Sequence, residues 1–223
     1  MSLNNLRHMP GDACLRNAYL VTPDNNDPVT ASIVGRNSFV SGGRCDVTCE
    51  AGGAGVYDLQ VKVLPETSNR SSTDYYYPWK KDGVGWVRVP KGVPDGSLVL
   101  TGALNGCAIV VQELHNHLYF YHDHNCKNLR IWKGLTFGVE VARVEPDDYD
   151  PLDFGLQQFS KAMHAHVAVQ AAQKKAPGTM NFGHYVIAVK NGGKFGLYCT
   201  GSMTIGGTTT MLPNATSCIA TFG

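Results

Sequence analysis

Charged residues are scarce in this chain. Asp, Glu, Lys and Arg make up 17% of the 223 residues, against about 25% in an average globular protein. The 19 basic and 18 acidic residues nearly cancel, and no basic block is longer than the pairs Lys80-Lys81 and Lys174-Lys175. This balance argues against nucleic acid or an anionic membrane as the main partner.

Long hydrophobic runs are missing as well. No segment has the roughly 20 apolar residues that a membrane-spanning helix needs, and the N-terminus lacks the apolar core of a signal peptide. The seven cysteines are not spaced as a compact disulfide framework, and their odd number leaves at least one unpaired in a monomer. We therefore expect a chain without a membrane span that is made in, or works in, a reducing compartment and is exported, if at all, without a classical signal peptide. We also expect a monomer.

Glycine, in contrast, is abundant. The chain has 25 glycines, and Gly, Asn, Thr and Ser are spread along its whole length. This composition favours many short strands and turns over a helical bundle. The length suits one domain, and we expect residues 1–223 to form a single one.

The first third of the chain predicts few regular elements. Residues 1–30 are polar and contain three prolines, so we expect them to be mostly irregular, with one short strand near 18–21. Alternation of apolar and polar residues predicts further strands at 32–40 and 56–64.

One helix is predicted, over residues 154–175. Asp153 can cap its start, and apolar residues recur every four positions at Phe159, Met163 and Val167. After it, the turn at 191–193 contains two glycines and predicts a hairpin. Strands, one helix and strands again predict an α+β fold on a mostly antiparallel sheet or sandwich.

A cysteine and a histidine face each other across another predicted hairpin. Cys107 precedes a strand at 108–114, and a turn at 115–117 leads into a returning strand at 118–124. His122 follows Cys107 by fifteen positions, so the hairpin brings the two side by side. In such a pair the imidazole takes the thiol proton and the thiolate becomes a nucleophile.

The residues before Cys107 suggest two supporting roles. Gly106 predicts a tight corner whose backbone N–H groups point at a bound carbonyl as an oxyanion hole, where one donor is worth about 3–4 kcal/mol. Thr101 lies six positions before Cys107. If the chain folds back between them, Thr101 can hold the imidazole in the required tautomer, as the third member of a catalytic triad does.

These residues carry a resemblance to a known family. Thr101, the corner Leu104-Asn105-Gly106-Cys107 and His122 resemble the catalytic pattern of the cytotoxic necrotizing factor and Burkholderia lethal factor family of glutamine deamidase toxins. The spacing of Cys107 and His122 matches the necrotizing factors, and Thr101 matches a threonine of the lethal factor. Asn105 stands where the family usually has serine, and its amide could serve the oxyanion instead. The match covers about twenty-five residues.

The resemblance implies a compact β-sandwich flanked by helices, and a single catalytic domain over residues 1–223. It implies that one glutamine of a host protein is converted to glutamate through a thioester intermediate, with release of ammonia and without a cofactor or metal. Its candidate partners are Rho-type GTPases and a translation-initiation helicase. It also implies a secreted bacterial effector that acts in the host cytosol.

Three alternatives stay open. His124 shares a strand face with His122 and could be the true partner of Cys107. The 115–124 hairpin could instead bind a metal ion, with Cys107 as an ordinary buried residue; its histidines are His115, His117, His122 and His124. A cysteine peptidase or a transglutaminase-like acyl transferase would use the same thioester chemistry.

Overall fold

Two β-sheets form the body of the molecule in this computed structural model, which describes residues 2–24, 39–53, 55–131, 138–212 and 218–223. The larger sheet has nine strands, in the order β1 (Ala18–Pro23), β4 (Val56–Val63), β3 (Gly43–Gly53), β5 (Asp74–Tyr76), β7 (Leu98–Leu100), β11 (Met180–Asn191), β12 (Lys194–Ile205) and β13 (Thr208–Leu212), with β14 (Cys218–Phe222) also paired to β12. The smaller sheet has five, in the order β10 (Val139–Val144), β8 (Ala108–Leu114), β9 (His117–Asp123), β6 (Val84–Pro90) and β2 (Phe39–Ser41).

The helices are short except for one. They are α1 (Ser2–His8), α2 (Pro10–Arg16), α3 (Asn128–Ile131), α4 (Pro146–Tyr149) and α5 (Phe154–Ala172), with 3₁₀ helices at His124–Cys126 and Pro151–Asp153. Among the described residues, no helix is long and apolar enough to cross a membrane.

The main hydrophobic core lies between the two sheets. The smaller sheet contributes alternate residues, such as Ile109, Val111 and Phe120, and the larger sheet contributes residues such as Phe195 and Leu197. The intervening residues of β8 and β9 are also buried, on the opposite face of the smaller sheet. A strand buried on both faces needs a continuous apolar run, which explains the sequence Ala-Ile-Val-Val at the start of β8.

The larger sheet curls on itself instead of remaining one layer of a sandwich. The backbone N–H of Tyr19 in β1 donates to Thr200 Oγ1 in β12 at 3.3 Å, although the two strands lie far apart in the order of the sheet. A second core fills this curl, and it includes Leu6 and Ala13 from the two N-terminal helices. Strands and helices are therefore mixed as expected, but the sandwich prediction is replaced by a barrel-like sheet packed on a smaller one.

The N-terminal region differs most from its prediction. Residues 2–16 form two helices where irregular structure was expected. Pro10 does not interrupt α2, because it occupies the first turn, where its missing N–H has no cost. Arg7 clamps α1 to Asp74 with two hydrogen bonds, of 2.8 and 2.5 Å. The strand predicted near 18–21 is confirmed as β1. The one predicted at 32–40 lies outside the described residues apart from its last two positions.

The predicted helix and hairpins are present with altered ends. The α5 helix begins at Phe154 as expected, but Asp153 lies in the left-handed region and makes no capping hydrogen bond with its side chain. Asp150 takes that role, since its carboxylate accepts the N–H groups of Gly155 at 2.5 Å and Leu156 at 3.3 Å. Val167, one of the three apolar residues whose spacing predicted the helix, is exposed.

Candidate active site

The β8–β9 hairpin sets the relative positions of Cys107 and His122. Ile109 pairs with His122 in the antiparallel register, and Cys107 precedes Ile109 by two residues. Cys107 and His122 therefore share the face of the smaller sheet that meets the main core. Cys107 lies one residue before β8 and belongs with Ile109 to the main core.

Thr101 holds the imidazole of His122 through its Nδ1 atom. That atom lies 2.8 Å from Thr101 Oγ1, and both residues are fully buried. Thr101 directly follows β7, the strand of the larger sheet that pairs with β11. Among the described residues, Nε2 of His122 has no hydrogen-bond partner. A buried imidazole nitrogen without a partner is rare in folded proteins and calls for an explanation.

The burial of His122 keeps the imidazole neutral. Desolvation, with a smaller contribution from His124, lowers the pKa of His122 from 6.5 to about 3. The resting site therefore holds an uncharged histidine at neutral pH.

Cys107 is buried in a pocket of N–H groups. Burial raises the pKa of its thiol, while hydrogen bonds from the backbones of Asn125 and Asn105 and from the side chain of Trp79 lower it in part. The net effect is upward, so the thiol keeps its proton at neutral pH. The resting thiolate–imidazolium pair expected from the sequence is therefore not favoured, and both groups are neutral at rest.

The Asn105-Gly106 corner is exposed, in contrast to Cys107. Gly106 has a φ of 78°, a conformation that side chains other than glycine rarely adopt. Its N–H does not point at an open site as predicted, because it donates to the hydroxyl of Tyr149 at 3.1 Å. The Asn105 side chain is also engaged, since its Nδ2 donates to Phe182 O at 3.1 Å.

Tyr149 braces this corner from the other side. Its hydroxyl accepts from Gly106 N–H and donates to the carbonyl of Cys107, also at 3.1 Å. Burial raises the pKa of this hydroxyl, so it keeps the proton that it donates. The ring of His184 packs against the Tyr149 ring, with the two centroids 5.4 Å apart. Its Nε2 lies 4.0 Å from Asp150 Oδ1.

The turn after β9 delivers the Asn125 N–H. Asn125 and Cys126 both have positive φ, 59° and 56°, which is a costly conformation for residues other than glycine. Asp123 anchors the turn, because its buried carboxylate accepts the N–H groups of Asn128 and Leu129, each at 3.0 Å. Strain of this kind persists where the surroundings enforce it and often marks functional sites.

His124 is placed differently from His122. The β9 strand ends at Asp123, so His124 leaves the predicted strand and starts the 3₁₀ helix. Its Nδ1 accepts the N–H of Asp82 at 3.0 Å, and its ring meets Trp79 edge-on at 5.5 Å. His122 is thus the histidine with an uncommitted nitrogen on the inner face of the sheet.

The metal-binding alternative has no site in the hairpin. Within the ranges that the structure describes, no three His, Cys, Asp or Glu side chains gather as metal ligands. His115 and His117 lie at the turn, at the far end of the strands from His122. A groove of about 530 Å³, lined by residues that include Asp46, Lys62 and Arg70, lies on β1, β3 and β4 and contains none of the predicted site residues.

Sequence reasoning missed three residues of the site: Trp79, Asn125 and Tyr149. Trp79 ends the aromatic run Tyr-Tyr-Tyr-Pro-Trp at 75–79, but nothing in the sequence placed it beside Cys107. Asn125 lies one position beyond the predicted strand 118–124, and nothing in the sequence indicated the tight turn that places it beside Cys107. Tyr149 comes from α4, a single helical turn more than forty positions after Cys107, and no periodic signal announces it.

Comparisons with known proteins found one weak structural likeness and no match by sequence. No family model and no curated protein matches the chain. Among solved structures, it is similar to the C-terminal domain of CNFy from Yersinia pseudotuberculosis, with 8% sequence identity over 65% of this chain and a TM-score of 0.30. The chain spans 62% of the length of that chain. A likeness this low supports no inference about activity.

Proposed function

We propose that the chain is a protein-glutamine deamidase domain in which Cys107 is the nucleophile and His122 its proton acceptor. One observation carries the proposal. His122 is fixed through Nδ1 by Thr101, while its buried Nε2 has no partner in the described part of the chain and lies on the sheet face of Cys107. An imidazole that is oriented on one side and uncommitted on the other is arranged as a general base.

The proposed reaction starts from the neutral thiol of Cys107 and the neutral imidazole of His122. As the sulfur of Cys107 attacks the side-chain carbonyl of a glutamine, His122 Nε2 takes the thiol proton. The tetrahedral intermediate collapses to a thioester, and the proton passes from His122 to the departing ammonia. His122 then takes a proton from water, which attacks the thioester and releases glutamate, and the proton returns to the sulfur.

The N–H groups around Cys107 supply electrostatic stabilisation. The backbones of Asn105 and Asn125 and the side chain of Trp79 lie at the sulfur, where negative charge develops as the proton leaves. Donors fixed before the reaction need no reorganisation, which makes them effective in a buried site. Asn105 contributes through its backbone, and Gly106 contributes by shaping the corner.

The substrate in this proposal is a host protein, and Rho-type GTPases and a translation-initiation helicase are the first candidates. The exposed corner at Asn105 and Gly106 is the side from which a protein glutamine approaches the buried sulfur. The proposal includes one catalytic domain over residues 1–223, acting as a monomeric secreted bacterial effector in the host cytosol.

The test combines ammonia release with the intact mass of each candidate protein. Wild type is expected to release ammonia and to leave the target uncleaved and uncrosslinked, with an amide replaced by an acid. Cys107→Ser should abolish the release, and Cys126→Ser, which changes the neighbouring thiol, should retain it. Full release by Cys107→Ser would overturn the proposal. Cleavage or crosslinking of the target would assign the site to a peptidase or an acyl transferase instead.

A further inference from the structure

The acidic residues of the chain stop abruptly at position 153. All 18 precede Phe154, together with 14 of the 19 basic residues. The last 70 residues carry five lysines and neither Asp nor Glu. The chain therefore has a net charge of −4 before Phe154 and +5 after it. An asymmetry of this kind between parts of one chain favours a partner of opposite charge.

Exposed apolar side chains concentrate at the start of the acid-free part. Among the described residues, eight large hydrophobic side chains are exposed, and five of them lie between positions 152 and 169. They are Leu152, Phe154, Leu156, Val167 and Val169. Only Gly155 is buried in the whole of the 19-residue α5 helix. Most helices bury an apolar stripe against their own protein, so α5 has apolar surface left for a partner.

The α5 helix begins beside the corner that carries Cys107. Phe159 stacks on Phe182 with ring centroids 4.9 Å apart, and the carbonyl of Phe182 accepts the hydrogen bond from Asn105. At the N-terminus of the helix, Gly155 packs on His184, whose backbone forms a bridge with Leu104. The helix, about 28 Å long at 1.5 Å per residue, therefore extends away from the catalytic corner.

We propose that α5 and the residues at its two ends, which expose these five apolar side chains on both flanks of the helix together with Lys161, Lys174 and Lys175, dock an acidic segment of the protein substrate that wraps over the helix. This role as a substrate dock rests on the proposed deamidase function. The apolar residues supply the contact area, and the lysines attract and orient the acidic partner. The helix then presents the adjoining glutamine at the Asn105-Gly106 corner. Electrostatic complementarity of this kind raises the association rate and selects the partner.

The distribution of the apolar side chains favours a protein over a membrane. Phe154 and Leu156 are two positions apart and project from nearly opposite sides of the helix. A helix that lies in a lipid interface needs one continuous apolar face. Nucleic acid is also disfavoured, because the acid-free part has no arginine and its exposed apolar groups would meet a phosphate backbone.

A photo-crosslinking amino acid at position 167 tests the dock in a eukaryotic cell lysate. Wild type is expected to crosslink to one protein through a segment rich in Asp and Glu. Lys161→Glu with Lys175→Glu should lower that yield about tenfold. Lys62→Glu with Lys194→Glu makes the same charge change at two exposed lysines outside α5, and should leave the yield unchanged. Cys107→Ser should also leave it unchanged, because docking precedes the chemistry.

The outcomes separate docking from catalysis. A crosslink that Cys107→Ser retains, while glutamine conversion is lost, supports both proposals. The same crosslink without any glutamine conversion by wild type rejects the deamidase and leaves only the docking of an acidic protein. A crosslink that survives the α5 charge reversal, or no crosslink at all, overturns the dock. Sedimentation of wild type with phosphatidylserine vesicles, lost on the α5 charge reversal, would also overturn it in favour of a membrane.

Discussion

Thr101 Oγ1 and His122 Nδ1 lie 2.8 Å apart in a fully buried part of the molecule. The contact joins the two sheets, because Thr101 follows a strand of the larger one and His122 belongs to a strand of the smaller one. When Nδ1–H donates to the hydroxyl, Nε2 carries the lone pair that the proposed mechanism needs. The hydroxyl therefore fixes the orientation of the imidazole, and in this direction of the hydrogen bond it also stabilises that tautomer.

Replacing Thr101 tests this orienting role. Thr101→Val keeps the shape but removes the hydroxyl, so we expect turnover to fall at least tenfold, and we expect a loss of stability of about 1–3 kcal/mol from the unpaired Nδ1. Thr101→Ser keeps the hydroxyl and should retain most of the turnover. Ammonia release and denaturant unfolding measure the two effects. Equal turnover in Thr101→Val and wild type would remove Thr101 from the mechanism.

The depressed pKa of His122 predicts a loss of stability in acid. The pKa of His122 is about 3 in the folded protein and 6.5 ordinarily, so between these values the unfolded chain binds a proton that the folded chain does not. The free energy of unfolding that depends on the neutral state of His122 is therefore fully present above pH 6.5. It is lost as the pH falls towards 3, at about 1.4 kcal/mol per pH unit.

Urea unfolding at several pH values measures this slope. His122→Gln should show a shallower decline between pH 6 and pH 4 than wild type, because it cannot bind the proton. His164→Gln changes an exposed imidazole of α5 that does not act on His122 and should keep the wild-type slope. Identical slopes in all three proteins would mean that His122 is not buried in its neutral form.

The raised pKa of the Cys107 thiol predicts how it reacts with iodoacetamide. Because burial keeps the thiol protonated, alkylation of the free protein should be slow at pH 7 and should accelerate steadily as the pH rises above 9. A thiolate–imidazolium pair would instead give a high, constant rate from mildly acidic pH upwards. Peptide mapping assigns the rate to Cys107, with the exposed Cys218 as the internal reference.

Tyr149→Phe should weaken the catalytic corner without touching the reacting atoms. It removes a hydroxyl that satisfies both Gly106 N–H and the carbonyl of Cys107. We expect a loss of about 1–3 kcal/mol in unfolding free energy and a lower kcat with little change in KM, because the sulfur is less well positioned. Tyr57→Phe, in the other core, should leave kcat unchanged. A change confined to stability would limit Tyr149 to a structural role.

The sequence was most informative where structure is local. The hairpin that carries Cys107 and His122 could be predicted because strand alternation and a tight turn decide it within about twenty residues. The contact between Thr101 and His122 could be predicted because the chain folds back at a glycine-containing corner before Cys107. Each of these features depends on short-range geometry.

Contacts between distant segments could not be predicted in this way. The packing of both sheets decides the positions of three such residues. Trp79 lies at Cys107, Tyr149 at the Asn105-Gly106 corner, and Asp150 at the start of α5. The curl of the larger sheet depends on contacts such as that between Tyr19 and Thr200, which are 181 positions apart. Helix α2 was missed because a proline in a polar segment indicates a loop as readily as a first helical turn.

Proteome mapping in ¹⁸O-water is the sharpest test of whether Cys107 converts a protein glutamine to glutamate. Hydrolysis of a thioester places one solvent oxygen in the new carboxyl group. In a eukaryotic cell lysate, wild type and Cys126→Ser should produce one protein site where a glutamine becomes ¹⁸O-labelled glutamate, and Cys107→Ser should produce none. The same labelled site with Cys107→Ser, or no labelled glutamate with wild type, would mean that Cys107 is not the nucleophile of a glutamine deamidase.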